Sequence, residues 1–221
     1  MFKYLKEYVD FSVRVNDYIS TIMLDNEISC ESYNYSRIWK LMQSQGAVIR
    51  GFQFNDIASE QIAGLLIQDP LETTIGFNRE LDEKSKNFII SHEITHYLFH
   101  MDKQNQLFYD TVRDIRSCEH KQLQEFQANI GASIILVPDR VLFYSLKKGW
   151  DLSQISDSFG ISEDHLVMRL IQMMQANLGL SFRTAKKHTD LFCGTGRVTS
   201  VQLATKLEYQ IERPNYFTEI V

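Results

Sequence analysis

The chain has 221 residues, 44% hydrophobic and 23% charged, with 10 glycines and 3 prolines; this balance suits a folded globular protein and excludes low-complexity or linker-like architectures. A net charge of -5, from 23 basic and 28 acidic side chains, lacks the basic excess with which a nucleic-acid binder neutralises phosphates, so no direct nucleic-acid contact is expected. No apolar run approaches the roughly 20 residues that span a bilayer, and the charged start MFKYLKEYVDF does not read as a secretory signal. Cys30, Cys118 and Cys193 are widely separated and form no C-x-x-C pair, so reduced thiols in a cytoplasmic protein are expected.

In YLKEYVDFSVRVNDYI the apolar positions recur every three or four residues, which predicts helix over the first ~45 residues. AVIRGFQF (47–54), IAGLLIQ (62–68) and TTIGFN (73–78) read as strands. Their short connections predict an antiparallel meander. The helix KSKNFIISHEITHYLFHM follows, with Asp82 or Ser85 as its cap. Residues 102–118 read as a loop with some helical content. A second strong helix is predicted from about Cys118 to Leu136, ended by Pro138.

Residues 139–178 are helical in three pieces, DRVLFYSLKK, DLSQISDSFG and SEDHLVMRLIQMMQANLG. Gly160 at the turn and Ser162 as N-cap make the last two a helix-turn-helix pattern. The second of these helices opens with Glu163, Asp164 and His165; its two acids are repelled by phosphate, so a packing or docking role is expected rather than DNA reading. Beyond Leu180 the periodicity is weak, and LFCGTGR reads as a turn. The expected organisation is a body over 1–140, with its N-terminal helices, and a helical extension over 141–221 packed on the same core.

The stretch SHEITHYLFH, from Ser91 to His100, carries the pattern H-E-x-x-H inside an apolar run. With 6 histidines in the chain, chance predicts on the order of 0.01 such motifs. On a helix His92 and His96 lie about 40° apart and one turn up the same face, so their imidazoles can converge on one cation. Glu93, about 100° from His92, reaches a water on that cation without being a ligand. Metallopeptidases use this arrangement on a helix. His100 continues the series one turn further, roughly 6 Å along the axis, and reads as a packing or helix-end residue. A third ligand is needed. Glu125 is the best placed, on a helix whose face continues with the small residues Ala128 and Ala132; Glu119, Asp114 and His120 are rivals.

The order of these features resembles the ImmA/IrrE family of metallopeptidases. The matching residues are Gly64 in AGLLIQ, Asn78 in TTIGFN, His92-Glu93-x-x-His96-Tyr97, and Glu125-x-x-Ala128-Asn129-x-x-Ala132 followed by Leu136-Val137-Pro138. The match is firm over about residues 60–140. Two departures stand out. The family usually has Gly before the second histidine, where this chain has Thr95, and an aromatic residue before the second alanine, where this chain has Gly131.

The resemblance implies that Glu125 is the third ligand. It also implies an α+β, zincin-like fold: a small antiparallel three-stranded sheet packed on the H-E-x-x-H helix and the Glu-bearing helix, with the helix-turn-helix-like part after it. As substrate it implies a helix-turn-helix repressor, of the kind encoded nearby on mobile elements and phages or in stress responses, whose cleavage switches genes on.

The expected activity is a zinc-dependent endopeptidase, with Zn²⁺ on His92, His96 and Glu125, and Glu93 as general base. Manganese suits the same nitrogen and oxygen donors. Tyr97, Tyr109, His120 and Tyr144 remain open as oxyanion donors. A substrate strand is expected on a sheet edge near 62–78. The alternative is a non-catalytic, metal-containing protein that binds a repressor or antitoxin.

Overall fold

The computed structural model describes residues 4–53, 62–68, 71–101, 107–111, 123–195 and 202, with the backbone alone at 107–111 and 194–195. Helix α1 (Leu5–Asp25) buries Tyr8, Phe11, Val15, Ile19 and Ile22, a stripe at helical spacing that faces the core. Helix α2 (Ser36–Ser44) buries Ile38 and Met42 in the same way. Strands β1 (Ala47–Phe52), β2 (Ile62–Gln68) and β3 (Thr73–Asn78) fall where the sequence places them. Helix α3 (Glu83–Phe99) carries the H-E-x-x-H motif. Its cap is Asp82, which accepts from the Ser85 amide at 3.0 Å and from its hydroxyl at 2.6 Å. Those hydrogen bonds hold the Asp82 carboxyl below its usual range.

Strand β4 (Leu107–Thr111) lies in a segment read as loop. Five residues carry too short a pattern to signal a strand, and their pairing is with distant β2. Helix α4 (Leu123–Leu136) bears Glu125; the expected start near Cys118 lies outside the described residues. Then come α5 (Asp139–Lys147), α6 (Leu152–Phe159) and α7 (Glu163–Leu178). Helix α6 begins with a capping box between Asp151 and Gln154, and α7 with Ser162 as N-cap. Gly160 sits between them at φ 58°, where a Cβ would also meet Asn87 Nδ2 at 2.4 Å. Helix α8 (Phe182–Thr195) takes in the first five residues of LFCGTGR, where a turn was expected; the last two lie outside the described residues.

The four strands run in the order β1-β3-β2-β4. Strand β2 pairs antiparallel with β3 and β4, as an antiparallel sheet requires, but β1 pairs parallel with β3. The simple meander is therefore corrected. Strand β3 lies between β1 and β2, which therefore stand two strand spacings apart, about 10 Å. Both β2 and β3 are interior, so the expected open edge near 62–78 is corrected as well. Among the described residues the edges are β1 and β4.

One face of the sheet packs on α3, and α3 packs most extensively on α4. Leu66 and Ile75 face each other across β2 and β3 and are fully buried, each contributing roughly 1.5–3 kcal/mol by leaving water. This is the α+β, zincin-like arrangement, with the H-E-x-x-H helix against the sheet and the Glu-bearing helix packed on α3. The hydrophobic core continues without a break from α1 through α7 into Ala185 and Phe192 of α8.

Arg169 on α7 fixes the corner between α4 and α5. Its Nη1 donates to the Ser133 carbonyl at 2.7 Å and to the Val137 carbonyl, and its Nη2 pairs with Asp139. The Ser133 carbonyl, which also accepts from the Val137 amide, and the Val137 carbonyl lie at the end of α4, and Asp139 is an acid in the first turn of the next helix. Tyr33 donates its hydroxyl to the nearby Ile135 carbonyl, and burial pushes that phenol far above its usual range. At the start of α7, His165 stacks on Phe88 of α3 at 3.7 Å between ring centroids. His165 is thus engaged in packing, while Glu163 and Asp164 beside it are exposed.

Candidate metal centre

Helix α3 is buried from Asn87 through His96 without interruption, between the sheet on one side and α4 on the other. His92, Glu93 and His96 are all essentially inaccessible to solvent. Burying three ionisable groups in one turn is costly unless their charges and lone pairs are matched.

The matching group on α4 is Glu125, in the helix's first turn. His92 Nε2 and His96 Nε2 are 3.1 Å apart. Glu125 Oε2 lies 3.3 Å from the first and 3.5 Å from the second. Three ligands about 2.0–2.1 Å from one ion at the tetrahedral angle stand roughly 3.3–3.4 Å from one another. The three side chains thus form one face of a tetrahedral coordination shell, and they fit a divalent cation with two nitrogen donors and one oxygen donor. Of the rivals to Glu125, Glu119, Asp114 and His120 lie outside the described residues, as does the side chain of Tyr109.

Each imidazole is also held from behind. His92 Nδ1 is 2.9 Å from Asn129 Oδ1, one turn beyond Glu125 on α4. With Nε2 facing the cation site, Nδ1 carries the proton and donates to that amide oxygen. His96 Nδ1 is 3.0 Å from His100 Nδ1, and His100 Nε2 is 3.0 Å from Gln127 Oε1. His100 is the C-cap of α3, as expected of a helix-end residue, and it stacks on Phe11 of α1 at 5.7 Å. Its contact with His96 follows the spacing of one turn, whereas its bond to Gln127 on another helix is not legible from spacing. Burial, and secondly His96, push the His100 imidazole down to about 4, so it is neutral at physiological pH.

Glu93 points toward the sheet. A Cβ on Gly64 of β2 would lie 2.6 Å from Glu93 Oε1 and 2.5 Å from Ile89 Cγ2, so only glycine leaves room for the carboxylate. Gly64 pairs with Asp110 of β4. Among the described residues β4 is an edge strand, one strand spacing from Gly64, about 5 Å, and β1 is the other edge.

The two departures from the family pattern meet in space. A Cβ on Gly131 would come within 2.3 Å of Thr95 Cγ2 and 2.4 Å of Thr95 Oγ1. Where α3 and α4 cross beside His96, the bulk sits on α3 and the gap on α4.

A family model described as the IrrE N-terminal-like domain matches residues 51–170, a span that contains His92, Glu93, His96 and Glu125. No curated protein matches the chain.

Proposed function

Since the chain belongs to the IrrE N-terminal-like family of metallopeptidases, we propose that it is a zinc-dependent endopeptidase that cleaves a helix-turn-helix repressor at one site and so derepresses genes of a mobile element, phage or stress response. The observation that carries this reading is the donor triangle of His92, His96 and Glu125 with Glu93 alongside. Three protein donors leave a tetrahedral ion one position for solvent or substrate, which is the mark of catalytic rather than structural zinc.

A divalent cation there supplies Lewis acidity, polarising the scissile carbonyl and bringing the pKa of water toward neutrality. The chain's own residues do the rest. His92 and His96 present Nε2 lone pairs, oriented by Asn129 and His100 from behind. Glu93, held against Gly64, takes the proton of the attacking water and returns it to the leaving amine. An extended substrate segment adds to the open edge of β4, beside the carboxylate, with main-chain hydrogen bonds setting its direction. In this reading 1–140 carries the chemistry, and 141–221 is a helical extension packed on the same core. No helix among the described residues is long and apolar enough to cross a membrane, which agrees with a cytoplasmic enzyme acting on a cytoplasmic regulator.

Incubating the purified chain with the repressor-like protein encoded beside it tests this reading. One discrete cut is expected, lost with chelator and restored by zinc. Repressor that is bound and inactivated without being cut, or a cut indifferent to chelator, contradicts it.

A further inference from the structure

Metal-binding imidazoles are commonly backed by a carboxylate, a carbonyl or water. His92 follows that rule through the Asn129 amide oxygen. His96 is instead backed by a second imidazole. We propose that His100 and Gln127 form a positioning relay that fixes the tautomer of His96 and so prepares it to bind the cation; the proposal rests on the metal reading above.

The argument is one of proton bookkeeping. An imidazole that offers its Nε2 lone pair to a cation carries its single ring proton on Nδ1. For His96, that proton points at His100 Nδ1, 3.0 Å away. His100 can accept there only as its Nε2–H tautomer. The Nε2 proton then points at Gln127 Oε1, also at 3.0 Å. A single polarity thus runs from the cation site through two rings to an amide oxygen. With the opposite polarity, the amide NH₂ of Gln127 donates, His100 donates in turn from Nδ1, and the proton of His96 ends on Nε2, where it blocks ligation. The orientation of one amide side chain therefore selects between a ligating and a non-ligating histidine.

The packing keeps the relay in place. His100 is buried and stacked on Phe11, so its ring does not swing away. Gln127 is two residues beyond Glu125 on α4. The relay therefore also ties the helix that bears two of the proposed ligands to the helix that bears the third.

The test is zinc affinity of the full chain, measured by competition with a chromophoric chelator, alongside melting of the metal-free protein. His100→Phe keeps the ring volume and the stack but removes the acceptor. It is expected to loosen zinc on the order of 10–100-fold, with the metal-free protein still melting in one cooperative transition. Gln127→Leu is expected to loosen zinc in the wild-type background and to add nothing in the His100→Phe background, because a serial relay is already broken. Gln127→Glu, which can only accept, is expected to hold zinc at least as tightly as wild type. Losses that multiply in the double variant, a Gln127→Glu chain as weak as Gln127→Leu, or single variants that bind like wild type each overturn the relay. If His100→Phe does not fold, the contrast between Glu and Leu at position 127 decides. A wild-type chain that takes up no zinc overturns the metal reading with it, whereas tight wild-type binding with unaffected variants overturns the relay alone.

Discussion

Glu93→Gln is expected to reduce peptide cleavage on the order of 10²–10⁴-fold while zinc content and affinity stay at wild-type levels. Glutamine has the shape of glutamate, so it fills the same space against Gly64 and Ile89. It does not accept a proton at neutral pH, which is the one property the proposed role requires. The donor triangle is made by His92, His96 and Glu125 without it. Measuring kcat/KM on the cleaved peptide together with metal per chain separates the cases. Retained cleavage removes Glu93 from the base role, and lost metal makes it a ligand instead.

Gly131→Ala should destabilise the fold by about 1–3 kcal/mol through overpacking and loosen zinc at the same time. The added Cβ runs into Thr95 at 2.3–2.9 Å on a helix crossing that holds both ligand-bearing helices. Thr95 directly precedes His96, so a helix pushed apart there moves a proposed ligand from its triangle. Thr95→Gly should recover much of the loss when combined with Gly131→Ala. On its own it leaves a gap in the crossing and removes the hydrogen bond from Thr95 Oγ1 to the Ser91 carbonyl. A coupling energy of about 0.5–3 kcal/mol is expected from a double-mutant cycle in urea; additive effects would show that the two positions do not pack on each other. The resemblance implies a family pattern with the small residue on the H-E-x-x-H helix and the bulky one opposite. This chain has the pair reversed, so the two departures amount to one compensated change.

That compensation also shows where the sequence is silent. Thr95 and Gly131 read as two unrelated departures because one chain does not reveal which positions touch. The motif was legible for the opposite reason. His92, Glu93 and His96 are placed by helix geometry alone, within one turn. Glu125 was visible as a candidate through its helix and the small residues after it. Its convergence with the histidines needs the packing of α3 on α4, on which a single sequence is silent. The strands β1, β2 and β3 announced themselves by β-branched and aromatic runs, but the parallel pairing of β1 with β3 is a choice among partners that local composition does not encode. Strand β4 was missed because five residues give too little pattern. Helix α8 was missed because the glycines of LFCGTGR outweighed a sparse stripe of Ala185, Thr189 and Phe192, all three fully buried in the fold. The expectation for His100 was incomplete in the same sense: it ends the helix, and its ring hydrogen bonds tie it to His96 and Gln127.

The most direct measurement is anomalous diffraction at the zinc edge from crystals of the zinc-loaded chain. One peak is predicted, about 2.0–2.2 Å from both imidazole Nε2 atoms and from the carboxylate on the first turn of α4. A peak that leaves Glu125 out of reach, or that lies away from His92 and His96, contradicts the account.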